Sequence, residues 1–356
     1  MKQTYIIAEA GVNHNGDENR ALEMIDCAKE MGADAIKFQL FRADKLVTLN
    51  ASQAEYQKKA YSQKTSQHAM LKALELSEQN FIFLKNYAAN VGIDFMVTPF
   101  DLESLDFIRQ QGLPIIKIGS GDITFGPLLL AAARTQKKII LSTGMSTLDE
   151  IQEALQVISF GLMHQDGNPT LMPLETTSLT SQAQQILREK VILLHCVSEY
   201  PAPFAEINLR AMDTLAQAFG LMVGFSDHTL GIEVALAAVA RGAKVIEKHF
   251  TLDKLLPGPD HPASLDIKEF AAMVKGIRHI ESALGESEKI PTKSELKNKT
   301  LVRRSLVAAS DINIGDVFSP DNLAMKRPCA GKSPMSYWAF LGKKATRNYA
   351  KDELIT

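Results

Sequence analysis

The sequence predicts an α/β protein: a (β/α)8 TIM barrel over residues 1–284, a linker over 285–300 and a small β-rich domain over 301–356. Three observations carry this. Short Val- and Ile-rich runs recur eight times, each followed by a stretch with apolar residues at helical spacing. Alternating β and α elements demand a parallel sheet, and eight repeats favour closure into a barrel over an open doubly wound sheet. After Leu284 the rhythm breaks at GESEKIPTKSELKNKT and gives way to short β-like runs between turns (RRSLVAAS, NIGD, SPDN).

The expected strands are 5–8, 35–38, 94–97, 115–118, 138–141, 191–194, 222–225 and 245–248. Helical spacing follows over 20–31, 76–91, 102–110, 127–134, 147–158, 209–219, 231–241 and 267–284. Two connections are too long for the rhythm. Residues 41–75 follow the second strand and so fall on the C-terminal face of the barrel, where loops carry function. Residues 161–190 precede the sixth strand on the opposite face and, rich in Thr, Ser and Gln, read as a solvated excursion or contact segment. The last domain is small enough for its own core to be marginal, so it is expected to lean on the barrel or on a partner subunit.

Composition narrows the function. With 356 residues, 46% hydrophobic and 22% charged, the chain has the balance of a soluble globular protein. A formal net charge of -2 gives no bulk field for nucleic acid or an anionic membrane. No apolar run approaches the roughly 18 residues of a membrane span. Glu9 interrupts what would be a signal-peptide core, so no targeting segment is expected. Cys27, Cys196 and Cys329 are isolated, which argues against a disulfide framework or structural zinc site and fits the cytoplasm.

The strand ends carry the chemistry. In order they are Glu9; Lys37 with Gln39; Thr98; Lys117 with Ser120 and Asp122; Ser142 with Thr143; His195 with Ser198 and Tyr200; Ser226 with Asp227 and His228; and Glu247 with His249. A barrel that only held itself together would not need polar residues at all eight ends. His228 and His249 end neighbouring strands, where two neutral imidazoles can converge on a divalent metal and leave positions for water and substrate. The alternative for each is a structural hydrogen bond, the role expected of His14 and His195. Lys37 and Lys117 lie in apolar strands, where a charge is costly unless paired. With the hydroxyls of Ser120, Ser142 and Ser226 they describe a clamp for phosphate plus carboxylate. The rival is a Schiff-base lysine of an aldolase. Glu9, Asp122 and Asp260 are the acid–base candidates, and Glu247 is expected to pair with a lysine in a structural role.

Together these residues resemble a known family. IAEAGVNHNG (7–16), IKFQ (36–39), TPF (98–100), KIGSGD (117–122), LSTGM (141–145), LHC-x-x-x-YP (194–201), GFSDHT (224–229), EKHFT (247–251) and GPDH (258–261) resemble the sialic acid (nonulosonic acid) synthases. DINIGDVFSPDNLAMKRP is similar to that family's antifreeze-like (SAF) domain. The resemblance implies condensation of phosphoenolpyruvate with an open-chain N-acyl mannosamine-type sugar, with C–O cleavage and phosphate release. It implies Mn2+ or Mg2+ on His228 and His249, and phosphoenolpyruvate held by Lys37, Thr98, Lys117, Ser120, Ser142 and Ser226. Gln39, Tyr200 and Asp260 would contact sugar or intermediate, and Glu9 and Asp122 would handle protons. It further implies a homodimer with swapped C-terminal domains, in which Arg327 reaches the partner's sugar. Two positions depart from the N-acetylneuraminate pattern: Ser198, a phosphate or intermediate contact that is often Asn, and Asp122, often Glu. The segment after the second strand, with GPDHPASL, looks more like the branch making N,N'-diacetyllegionaminate from 2,4-diacetamido-2,4,6-trideoxymannose. A non-catalytic carbohydrate- or ice-binding protein would not need the histidine pair and lysines at the barrel mouth.

Overall fold

The computed structural model describes residues 3–60, 66–169 and 180–356, in two compact units, Met1–Gly285 and Glu286–Thr356. In the first unit eight strands follow in order: β1 Tyr5–Gly11, β2 Ala35–Leu40, β3 Asp94–Pro99, β4 Ile115–Ile118, β5 Lys138–Ser142, β6 Val191–His195, β7 Met222–Asp227 and β8 Val245–His249. Sequential strands pair in parallel and β1 also pairs with β8, as the expected barrel requires. The ring lacks one ladder: β3 and β4 lie side by side without strand pairing.

Side-chain alternation along the strands sets the two faces. One set, including Ile6, Ala8, Ile36, Phe38, Val97, Ile118, Phe225 and Ile246, packs under the surrounding helices as the main core. The other set points into the barrel. Its lower layer is a separate apolar cluster of Ile7, Ala35, Met96, Ile140, Leu194 and Val245, which fills the lumen. Gly224 belongs to this layer because nothing larger fits: a Cβ there would lie 2.4 Å from the Val245 carbonyl oxygen and 2.7 Å from Leu194. Two residues further along each strand the inward positions turn polar, and the site begins.

The helices depart from expectation in instructive places. Leu148–Met163 runs past the expected end at 158 because its apolar stripe continues through Leu162, which is buried. The excursion before β6 ends in a helix, Ser181–Lys190, capped by Thr180 and docked through Ala183 and Leu187. The rest of its Ser/Thr-rich stretch, residues 170–179, lies outside the described residues. The insertion after β2 is helical too, with Ala43–Leu46, Glu55–Ala60 and Gln67–Leu74.

In the second unit, β9 (Ser305–Ala308) and β10 (Leu323–Lys326) pair antiparallel over a small core that includes Leu306, Ile312, Phe318, Ala345, Tyr349 and Ile355. Part of the expected linker is a helix, Lys293–Val302. Thr292 and Glu295 cap it reciprocally, and none of its residues is buried. Its polarity is that of a solvated helix, which composition alone does not separate from a linker.

Candidate active site

The C-terminal ends of the strands surround one cavity of about 460 Å³. Fourteen of the residues singled out in the sequence line it: Glu9, Lys37, Gln39, Thr98, Lys117, Ser120, Ser142, Ser198, Tyr200, Ser226, His228, Glu247, His249 and Asp260. Asp122 stands just behind the lining, in the short helical turn after β4, with Oδ2 buried and unpartnered. Arg327 belongs to the second unit, at an exposed position after β10.

The floor is a buried charge network. Lys37 Nζ lies 2.8 Å from Glu9 Oε2 and 3.7 Å from Glu247 Oε2, and donates to Thr98 Oγ1 at 3.0 Å. Lys117 Nζ donates to Ser142 Oγ at 2.8 Å and lies 3.7 Å from Glu247 Oε1. Ser226 donates to Glu247 at 3.0 Å, and Gln39 donates to Glu9 at 3.1 Å. Burial disfavours every one of these charges. At Lys37 the opposing field of Glu247 and Glu9 wins and holds the ammonium above its ordinary value. At Lys117 burial wins over Glu247 and pulls it down. Burial would raise Glu247 as well, but two lysines outweigh it and keep this carboxylate ionised. Burial pushes Glu9 up, and Lys37 offsets that only in part.

The expected pairing of Glu247 with a lysine is present twice over, and the residue also lines the cavity. Cys196 lines it too, a role its sequence position did not suggest; its Sγ lies 3.1 Å from Ser120 Oγ. Ser120 Oγ also accepts from the Gly144 N–H at 2.9 Å. A Cβ on Gly144 would come within 2.5 Å of Ser198 Oγ, so Ser120, Ser198 and Cys196 crowd one backbone amide.

Above the floor stand the histidines. The rings of His228 and His249 are 5.9 Å apart, and Tyr200 packs on both. His228 Nδ1 donates to the Val197 carbonyl at 2.6 Å, which leaves Nε2 unprotonated as an acceptor, 3.4 Å from Ser226 Oγ. His249 Nδ1 is buried without a hydrogen bond, and its nearest carboxylate oxygen is Asp260 Oδ2 at 3.7 Å. Burial keeps both imidazoles neutral, His228 down at about 4 and His249 well below its ordinary value. Among the described residues no three His, Cys, Asp or Glu side chains are grouped to hold a metal ion. The donor set fits a divalent ion that takes two neutral imidazoles, one fixed in its tautomer by a carbonyl, and fills its remaining positions from water and substrate.

Two further acids have displaced pKa values. Burial, with Glu9 adding, raises Asp260 to about 7. Burial raises Asp122 to about 6 against the pull of Lys117. His14 and His195 make structural hydrogen bonds, as expected of them. His195 sits on the outer face, bonded to the Ile207 carbonyl at 2.6 Å and packed on Phe225. His14 Nδ1 accepts from the Gly16 N–H at 3.0 Å.

The insertion after β2 completes the cavity. Leu46, Val47, Met70, Leu71 and Leu74 line it, with Phe41 and Phe100. The placement of residues 41–75 over the C-terminal face was readable in the sequence; their apolar wall was missed, although the spacing in HAMLKAL carries the signal.

The NeuB family model matches residues 24–289 and the SAF domain model residues 303–356. The chain is 49% identical over 355 residues to the N,N'-diacetyllegionaminic acid synthase of Campylobacter jejuni, covering 100% of this chain and 99% of that protein. It is 45% identical to the protein of the same name from Legionella pneumophila, covering 97% and 91%. Among solved structures, the N-acetylneuraminic acid (sialic acid) synthetase of Leptospira borgpetersenii superposes with a TM-score of 0.67 at 34% identity, covering 83% of this chain and 90% of that one. The chain is therefore a member of the NeuB family, a sialic acid synthase-type barrel followed by a SAF domain.

Proposed function

We propose that the chain condenses phosphoenolpyruvate with 2,4-diacetamido-2,4,6-trideoxymannose, releasing phosphate and forming N,N'-diacetyllegionaminate. The observation that carries it is the joining, in one buried cavity, of two lysines with four hydroxyls beside two neutral imidazoles. Relatives bearing the legionaminic acid name over the full length support this acceptor over N-acetylmannosamine.

In this reading Lys37 and Lys117, with Thr98, Ser120, Ser142 and Ser226, hold the phosphate and carboxylate of phosphoenolpyruvate. They are already oriented by Glu9, Glu247 and their hydroxyl partners, so little reorganisation accompanies charge development. Ser198 lies beside Ser120 for a further oxygen. A divalent ion, Mn2+ or Mg2+, bound by His228 and His249 would supply Lewis-acid polarisation of the acceptor aldehyde. Gln39, Tyr200 and Asp260 contact the open-chain sugar. Glu9 and Asp122, both pushed up by burial, exchange protons as C3 of phosphoenolpyruvate attacks the aldehyde, water adds at C2 and phosphate departs.

The same reading makes the active form a homodimer in which the SAF domain of one chain brings Arg327 to the other's sugar. In its support, the second unit has a small core and exposes Met335 and Trp338. It places the enzyme in the cytoplasm, consistent with three unpaired cysteines. No helix among the described residues is long and apolar enough to cross a membrane.

The test is phosphate release from phosphoenolpyruvate with each sugar, before and after EDTA and with Mn2+ restored. Turnover requires the acceptor, stops with EDTA and returns with the ion. Activity indifferent to EDTA and to His249→Ala would remove the metal role. The depressed Lys117 keeps the Schiff-base reading alive as a control. Borohydride trapping of pyruvate on Lys37 or Lys117 would favour it; the synthase reading expects no adduct.

A further inference from the structure

The cavity has two unlike halves. Its floor is charged and hydroxyl-rich, and the insertion after β2 closes one side with an apolar wall. The described residues of that insertion are tied together by side-chain contacts. The Ala43 N–H donates to Glu75 at 2.7 Å, His68 donates to Asp44 at 2.7 Å, and Lys72 bridges Asp44 and Glu75 at 3.4 and 3.1 Å. Phe41, Met70 and Leu74 are buried with Val12 as its own core. Leu46, Val47 and Leu71 are only half-buried, and the surface they keep open faces the cavity. The glutamines that the insertion adds to the lining, Gln57 and Gln67, bond to each other at 3.4 Å.

A trianionic reactant has no use for such a wall, and the lysine floor already accounts for it. We propose that Leu46, Val47 and Leu71 determine acceptor specificity by packing on the C6 methyl of a 6-deoxy sugar and leaving a C6 hydroxyl without a partner. The inference rests on the synthase reading above. A hydroxyl buried against hydrocarbon loses its water without a replacement. An apolar pocket of this kind discriminates against an added hydroxyl by about 100-fold.

The test compares kcat/KM for 2,4-diacetamido-2,4,6-trideoxymannose and for 2,4-diacetamido-2,4-dideoxymannose, which differ only in the C6 hydroxyl. Full-length wild-type protein should prefer the 6-deoxy sugar by about 100-fold. Val47→Thr and Leu71→Asn, made separately, should each bring the ratio below about 10 while the KM for phosphoenolpyruvate stays within about twofold. That unchanged KM reports an intact barrel, and two variants guard against one of them disturbing the insertion. A wild-type ratio near one, or a ratio unmoved in both variants, overturns the wall as the determinant while leaving the synthase intact. Failure of the wild type to release phosphate with either sugar overturns the synthase reading and this inference with it.

Discussion

Lys248→Met tests whether the outer face of the barrel holds the histidines in place. Lys248 and Asp227 each precede a cavity histidine by one residue, so alternation points them away from the cavity. They form an ion pair at 2.8 Å with side chains 1% and 0% exposed. Lys248 also donates to the Thr229 carbonyl at 2.6 Å, and Asp227 accepts from the Thr229 N–H and hydroxyl at 2.9 and 2.7 Å. Methionine keeps the length of the stem but leaves the Asp227 carboxylate buried with Thr229 alone. Breaking a buried pair on one side costs about 3–5 kcal/mol. At roughly 2–4 °C per kcal/mol for a barrel of this size, Tm should fall by about 6–20 °C.

Asp227→Asn/Lys248→Met should recover part of the loss, because asparagine accepts from Thr229 without a stranded charge. A cycle coupling of at least about 1 kcal/mol is expected. Thermal unfolding across the four proteins gives the cycle, and electron paramagnetic resonance of free Mn2+ reads whether binding at the proposed His228–His249 site weakens in Lys248→Met, as expected if the pair holds the histidines. A single variant within about 2 °C of wild type, or strictly additive effects, would refute the idea that this pair is strongly coupled.

Two further outcomes follow from particular contacts and a third from the proposed swapped dimer. Asp122 titrates near 6 when folded against 3.8 in its ordinary state, so its burial penalty is absent below pH 3.8 and complete above pH 6. Asp122→Asn should therefore match wild-type stability near pH 4 and exceed it at pH 8 by up to about 3 kcal/mol, read by denaturant unfolding at both pH values. Gly144→Ala drives a methyl into Ser198, Ser120 and Cys196, so KM for phosphoenolpyruvate should rise about tenfold or more; an unchanged KM would place phosphate elsewhere. Arg327→Ala should raise the acceptor KM roughly 10–100-fold with phosphoenolpyruvate binding unchanged; equal loss of both would contradict the capping role.

The inward side chains of the barrel were legible because β-strand alternation is strict. Lys37 and Gln39, Ser226 and His228, and Glu247 and His249 each sit two apart and share a face. Cys196 was missed because it lies just past the end of β6; the inward parity of Leu194 continues into it. The apolar wall was harder to read. Ala43–Leu46 is too short to show a period, and although HAMLKAL carries one, the role of both depends on folding back over a mouth that only the barrel defines. The helix at Lys293–Val302 was hidden for the opposite reason, since a helix with no buried face has no apolar stripe.

A net charge of -2 describes the chain but not its site. On the floor two lysines are balanced by Glu9 and Glu247, so the pocket holds its charges before any anion arrives. Without those carboxylates, two ammonium groups buried at such depth would lose their protons or open the barrel to water. Glu247, shared between both lysines at 3.7 Å, keeps each within reach and leaves donor capacity on each ammonium. The same crowding dictates the residue type. Each lysine end is a compact point charge seated among a hydroxyl and a carboxylate, and a planar guanidinium in its place would have to displace Thr98 or Ser142 to fit. The floor therefore selects lysine by space as much as by charge, and an arginine that preserved the net charge would still break the network.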